Sequence, residues 1–497
     1  MSIHRFTVLV FSVGVLALLG AGRLQAQAPP GFEVPSQTEP ADVGEDAAAR
    51  ALRSLYVPDG LTSDQAVERV LAISPALKRT SALVLIAKGA AVQAMSGLVP
   101  RLDLQGRHSQ LSPVQTQGLV SGENADLIND VIEEVQDPAA QFLWDRLFAF
   151  QFPALTRQTD FDATLSYSFT GALAQSLPAY RAAKESKVAV QYQIEAENNN
   201  VAFDGRQAYY EYARAEAGLA VGKFALDAAV SQRKETEALV GAGSAARVDL
   251  MRVQAQEEAA RVAVEQANLG LQVAARTLQA LMLTDQLPSL GEDLSEPVTG
   301  IPTGNEAQLQ AQAYQERPDL LALRKYIDVK HHELRSANGG RAPDLLVRAS
   351  AQYSNPNLRV VPQQERFIGT WEVGAAIRWS PNDTVNAQGL SRRLQGELEQ
   401  AYADVTILEQ QVRIDVARGY HGIEAAQKAL QSARLGLNAS REGYRVTREQ
   451  LQAGIVNTTT LLQAQSELIR AQVDVVESAI GLRIAKATLL RAIGETP

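Results

Sequence analysis

Leu461-Leu462-Gln463-Ala464-Gln465-Ser466-Glu467-Leu468-Ile469 belongs to the stretch whose reading decides the fold, the run from Asn386 to Gly494. From Leu461 one apolar position recurs every seven residues, through Leu468, Val475, Leu482 and Leu489. The adjacent position nearly repeats this with Leu462, Ile469, Val476 and Leu490, interrupted only by Arg483. A strict seven-residue period winds packed helices into a left-handed supercoil. Ahead of Gly454, residues 387–453 carry Leu394, Leu398, Ala401, Val405, Leu408, Val412 and Val416 at three- and four-residue spacing. That limb alone is roughly 100 Å of helix at ~1.5 Å per residue. The second limb, 457–493, doubles back at Gly454. No compact globular domain needs such a rod, so the chain acts across a distance.

The remaining composition agrees with extended helix rather than a thick core. Aromatic residues make up 6% of the 497, and the formal net charge is -9. Such an acidic chain repels phosphate, which excludes nucleic acid as a partner. Cysteine is absent, so disulfides, thiolate metal sites and cysteine nucleophiles are excluded. Residues 1–26 read as a secretory signal: His4 and Arg5, an apolar run from Phe6 to Leu19, then Ala21, Gly22 and Ala26. The run is too short to span a bilayer as a helix, which takes roughly 20 residues. Residues 27–60 form a proline-rich N-terminal extension, with a turn at Pro58-Asp59-Gly60.

The chain is duplicated. Ser74-Pro75-Ala76-Leu77 and Pro100 match Arg317-Pro318-Asp319-Leu320 and Pro343, 243 residues later. Gly243, Leu250, Gln254 and Leu278 match Gly454, Leu461, Gln465 and Leu489 at an offset of 211. Two repeats follow, 61–290 and 304–497, joined by a linker at 285–303 that is punctuated by Pro288, Pro297 and Pro302. The first carries long helices at 178–240 and 245–284, turning at Gly241 and Gly243, because glycine accepts the positive φ that ends helices. Its extra length falls in an acidic, then aromatic, insertion near 111–160.

Each repeat also holds two strand candidates, near 101–110 and 161–169 in the first and near 344–353 and 367–379 in the second. From Phe161 to Phe169 every odd position is apolar; Leu345 to Tyr353 and Phe367 to Trp379 alternate likewise. Segments of about ten residues with a two-residue period and terminal aromatics describe transmembrane β-strands. A half-buried soluble sheet has the same alternation; the signal sequence and the rods favour the membrane. Four strands cannot close a barrel, and an open edge is forbidden in lipid. Two chains would give eight strands, which side chains fill, whereas three give twelve and an aqueous lumen.

This plan resembles the TolC-like outer-membrane efflux proteins over nearly all of the sequence after the signal. The resemblance rests on the duplicated helix–strand–strand–helix–turn–helix order, the proline pairs, and the glycine turns followed by Asp249-Leu250 and by Leu461, Leu462 and Gln465. It implies a mainly α fold with transmembrane β: duplicated helical hairpins build a periplasmic α-barrel, and four strands per chain enter a trimeric twelve-stranded outer-membrane β-barrel. The implied function is the exit duct of a tripartite efflux or type I secretion system in a Gram-negative outer membrane. It is a passive conduit whose periplasmic tip opens when an adaptor docks. The implied partners are two further copies, a periplasmic adaptor, an inner-membrane transporter and outer-membrane lipid.

Residue by residue, the resemblance puts adaptor docking at Gly241, Gly243, Ser244 and Arg247, and at Gly454, Ile455, Asn457 and Thr458. The periplasmic aperture falls at Asp249, Thr460 and Gln463. Thr460 and Gln463 stand where relatives often carry carboxylates, so no second acidic ring is expected. Phe161, Tyr167, Phe169, Tyr353, Phe367, Trp371 and Trp379 are the expected membrane-interface aromatics. The acidic total predicts a modest cation preference in the lumen. No metal site, cofactor or catalytic residue is expected: His331-His332-Glu333 lacks zinc-hydrolase spacing, and no phosphate loop or serine elbow appears. The alternative reading is a soluble periplasmic coiled-coil scaffold or adaptor, although adaptors place one hairpin inside flanking β-rich domains.

Overall fold

The computed structural model describes residues 56–112, 131, 137–148, 156–286, 289–361 and 363–497, which lie within the unit Asp46–Pro497. The signal sequence, the extension before Tyr56 and most of the 111–160 insertion fall outside the described residues. In chain order the first repeat contains β1 (Tyr56–Leu61), α1 (Ser63–Ile73), α2 (Pro75–Ser96), β2 (Arg101–Gln110), α3 (Pro138–Phe148), β3 (Arg157–Ser168), α4 (Leu177–Gly241) and α5 (Arg247–Met282). The second contains α6 (Glu306–Glu316), α7 (Pro318–Gly339), β4 (Asp344–Asn355), β5 (Ile368–Arg378), α8 (Pro381–Gln452) and α9 (Thr458–Ile493).

The duplication reaches into the caps. Thr62 and Asn305 each head a helix with a capping box closed by Gln65 and Gln308, so orphan amides of both first turns are satisfied. Pro75 and Pro318 occupy the first position of α2 and α7, where a missing N–H costs nothing. α5 and α9 both run for 36 residues. The cores repeat as well. Ala66, Val70, Leu278 and Met282 pack in one cluster, while Leu309, Ala313, Leu489 and Ile493 pack in the other.

α4 and α8 have 65 and 72 residues, roughly 100 and 110 Å of helix at ~1.5 Å per residue. Each is matched by two shorter helices. α4 packs against α2 and α5 on one side and α7 and α9 on the other, and α8 packs against α7 and α9. The columns therefore run α2/α5, α4, α7/α9, α8, leaving α2/α5 and α8 at the free sides. The seam that α9 presents is the heptad row: Leu461, Leu468, Val475, Leu482 and Leu489 are all buried. Close approach of α8 requires Gly419, where a Cβ would lie 3.0 Å from the Leu489 Cα. Higher up, Lys330 of α7 reaches Glu397 of α8 and its own neighbour Glu333, both at 2.9 Å. Burial works against that ammonium, but the two carboxylates outweigh it and raise its pKa.

The strands form one antiparallel sheet in the order β2-β3-β4-β5, so the sheet shares the column order of the helices. Its register gives the two faces different character over most of the sheet, with His108, Gln110, Arg157 and Thr159 at the loop end of the apolar face. One face carries Leu102 and Leu104, then Phe161, Ala163, Leu165 and Tyr167, then the odd positions from Leu345 to Tyr353, then Trp371, Val373, Ala375 and Ile377. Arg101, Asp103, Gln105, Asp162, Thr164, Ser166, Arg348, Ser350, Gln352, Thr370 and Glu372 stand on the other. The apolar face is uncovered: Trp371 is 77% exposed, Ile377 76% and Leu104 74%. Phe161, Phe367 and Tyr353 cluster at the loop end of the sheet, and Tyr167 meets Phe169 edge-on at 4.7 Å towards the helix end.

Several boundaries differ from the sequence reading, for local reasons. Phe169 lies in a helical turn rather than the strand, because the Ser168 hydroxyl caps Gly171 at 3.0 Å. Trp379 follows β5, and its indole donates to Thr384 at 3.1 Å. α8 starts at Pro381 instead of 387, since Ser380 caps Asp383 and proline takes the first helical position. The turn at Pro58-Asp59-Gly60 sits inside β1, with Asp59 at φ 69°.

The segment 285–303 connects the repeats but is no loose linker. Leu290 and Leu294 are fully buried, and Leu61 exchanges backbone hydrogen bonds of 2.8 Å with Ser289 and Gly291. Here the heptad break finds its cause. Arg483 of α9 is buried, pairs with Glu292 at 3.2 Å, and donates to the carbonyls of Asp293 and Glu296 at 3.3 and 2.9 Å. Tyr210 of α4 donates to the same Glu292 carboxylate at 3.1 Å. One arginine thus pins the inter-repeat segment between two helices. Removing the guanidinium strips the two carbonyls of their donor and leaves Glu292 only Tyr210 and solvent, so Arg483→Ala should cost roughly 3 kcal/mol, the lower end of the range for a broken buried pair. Thermal unfolding in detergent should place Arg483→Lys between that variant and the wild type.

Candidate functional site: the helix-hairpin tips

Both hairpins close by the same device. Gly243 and Gly454 take φ values of 76° and 73°, the left-handed conformation that L side chains resist. Ser244 N–H donates to Leu239 O and Gly243 N–H to Val240 O; Ile455 and Gly454 do likewise to Gln450 and Leu451. This Schellman pairing satisfies the last carbonyls of α4 and α8 without a partner. The return helices then start differently. The Asn457 side chain accepts from the Thr460 amide and hydroxyl, both at 3.0 Å, whereas Ala246 heads α5 with no side-chain cap.

The expected docking residues Gly241, Gly243, Ser244, Arg247, Gly454, Ile455 and Asn457 are exposed, and Thr458 is half-buried. Ile455, 71% exposed, is the largest uncovered apolar group at either turn. Asp249 is half-buried in the first turn of α5, and its partner is Arg252 at 3.4 Å rather than Arg247. Arg252 also donates to Thr459 at 3.2 Å, which ties the first hairpin to the second. The sequence reading passed over Arg252, although an Asp–Arg pair three residues apart on a helix was a usable signal. Thr460 and Gln463 are exposed; the first is held by its cap and the second reaches Glu467 at 3.4 Å. A carboxylate therefore stands one turn further in than the position read from the sequence.

Behind the tips the repeats diverge. Buried Glu257 sits between Arg233 at 2.6 Å and Arg261 at 2.8 Å, while the equivalent place in the second repeat is the buried Leu468. The first hairpin is clamped by charge and the second by packing. No cluster of three metal-ligating side chains occurs among the described residues.

An amphipathic four-stranded sheet continued by paired helical rods defines a subunit of a membrane duct. The family described as outer membrane efflux protein matches residues 309–495. Outer membrane efflux protein BepC of Brucella suis biovar 1 is 22% identical over 316 residues, covering 63% of this chain and 67% of its own length. Among solved structures, CusC superposes with a TM-score of 0.70 at 15% identity over 94% of this chain and 99% of its own. The Campylobacter jejuni CmeC outer membrane channel gives 0.70 at 13% identity, over 95% and 94%. The chain therefore has the fold of these outer-membrane channels, and residues 309–495 match the outer membrane efflux protein family.

A side chain at either glycine would have to enter the left-handed region, at roughly 1–2 kcal/mol. Gly243→Val and Gly454→Val should each speed hydrogen exchange at the following amide, Ser244 or Ile455, while leaving amides near Leu489 at the wild-type rate.

Proposed function

We propose that three copies of this chain close head to tail into one duct, through which solutes leave the periplasm without covalent chemistry at this subunit. The observation that carries this is the shared order of strands and columns. The free edge β2 follows α2, and the free edge β5 leads into α8. Pairing β5 of one copy with β2 of the next brings α8 against α2/α5 in the same step. Such a heterologous contact either closes into a ring or grows without end. Twelve strands are the fewest that leave a water-filled lumen in this construction. The uncovered residues on the free columns, Ile86, Val92, Val262 and Leu269 on one side and Ile407 and Ile414 on the other, support the same pairing. An uncovered apolar sheet face argues against a soluble scaffold.

In this reading the polar face lines the lumen. Arg101, Arg107, Arg348 and Arg378 share it with Asp103, Asp160, Asp162, Asp344 and Glu372. The wall is close to neutral, so a cation preference would be weak and would come from the rods. A periplasmic adaptor, coupled to an inner-membrane transporter, docks at the exposed turns. Opening separates the first hairpin from the second, and Arg252 is the side chain that must release Thr459.

The chain has no native cysteine, which makes a disulfide lock clean. Asp249→Cys combined with Thr460→Cys, oxidised in cells, should abolish export, and reductant should restore it. Unchanged export under oxidation would count against an opening tip.

A further inference from the structure

We propose that the apolar face of the sheet carries a docking site for one acyl chain of a phosphate-bearing membrane lipid. The proposal rests on the reading of that face as the membrane wall. Register places Leu104, Ala163, Ala351 and Trp371 in one row across the four strands. The adjoining row towards the loops is Gly106, Phe161, Tyr353 and Gly369. Large edges flank small centres in the first row, and the order reverses in the second. The result is a hollow of about 710 Å³ floored by Ala163 and Ala351 and walled by Leu104, Phe161, Tyr353 and Trp371.

Two of the walls are braced by a third ring: Tyr353 stacks on Phe367 at 5.1 Å, and Phe161 lies 6.4 Å from it. A uniform lipid-facing band has no reason to alternate alanine with rings in this way, because disordered tails cover any apolar surface equally. A recess does have a reason: it gives one chain more van der Waals contact than its neighbours make, and packing is the term left where lipid tails supply no hydrophobic driving force.

The occupant is identified by charge. Arg157 lies on the same face of β3 as Phe161, four residues nearer the loops, roughly 13 Å at ~3.3 Å per residue. It is exposed and has no ion-pair partner among the described residues. An anionic phosphate at Arg157 with its chain running into the hollow satisfies both features with one molecule.

Native mass spectrometry of the full-length mature protein in detergent tests this, with dimyristoyl phosphatidylglycerol, dimyristoyl phosphatidylcholine and glycerol phosphate as probes. The expected result is one phosphatidylglycerol held per chain after mild delipidation, more tightly than phosphatidylcholine and not displaced by glycerol phosphate. Ala351→Phe or Ala163→Leu should remove it, while Ala375→Phe, on the same face outside the hollow, should retain it. Arg157→Gln should weaken retention roughly fivefold, as one cation near a lipid surface is worth. Retention by both filled-hollow variants equal to the wild type overturns the proposal, as does displacement by glycerol phosphate alone. Flotation with vesicles separates the two claims. Variants that float but hold no lipid support the site, whereas a wild type that fails to float overturns the membrane reading and the site with it.

Discussion

Backbone amides and carbonyls along the outer edges of β2 and β5 have no strand partner among the described residues, and hydrocarbon offers none. Each such group left bare in lipid costs several kcal/mol, and two edges of ten or more residues present many of them. Every larger feature of the molecule answers that constraint. In the proposed duct the apolar face sends the sheet into the bilayer, the edges then demand pairing, and further copies of the chain supply it.

The rods inherit the solution. Because α2 runs directly into β2 and β5 directly into α8 through Ser380, a ring of strands imposes a ring of columns. Two short helices opposite each long one keep the columns level, and the buried Arg483–Glu292 pair fixes where the two repeats meet. Distance along the rods is then set by helix length alone. At the far end the Schellman turns at Gly243 and Gly454 satisfy their own carbonyls, which leaves a tip that needs no partner to be stable and keeps Ile455 exposed.

Much of this was legible in the sequence because it depends on periodicity. The seven-residue row of α9, the proline and glycine landmarks, and the alternation from Phe161 to Tyr167 are one-dimensional signals of three-dimensional faces. What escaped was whatever depends on a contact between distant segments. The stretch at 285–303 reads as a linker by its prolines, yet Leu290 is buried against Leu61. Arg483 reads as a flaw in the heptad until Glu292 is placed beside it. Arg252 gains meaning only when Thr459 of the other hairpin lies within reach, and the alanine-floored hollow exists only once the register of all four strands is known.

The claim on which the account stands is that lipid forces several copies of one amphipathic sheet to close together. The mass of the detergent-solubilised particle, measured with the detergent contribution subtracted, tests it most directly. The account predicts three chains per particle and aggregation when detergent is withdrawn. A single chain that stays dispersed in water would contradict it.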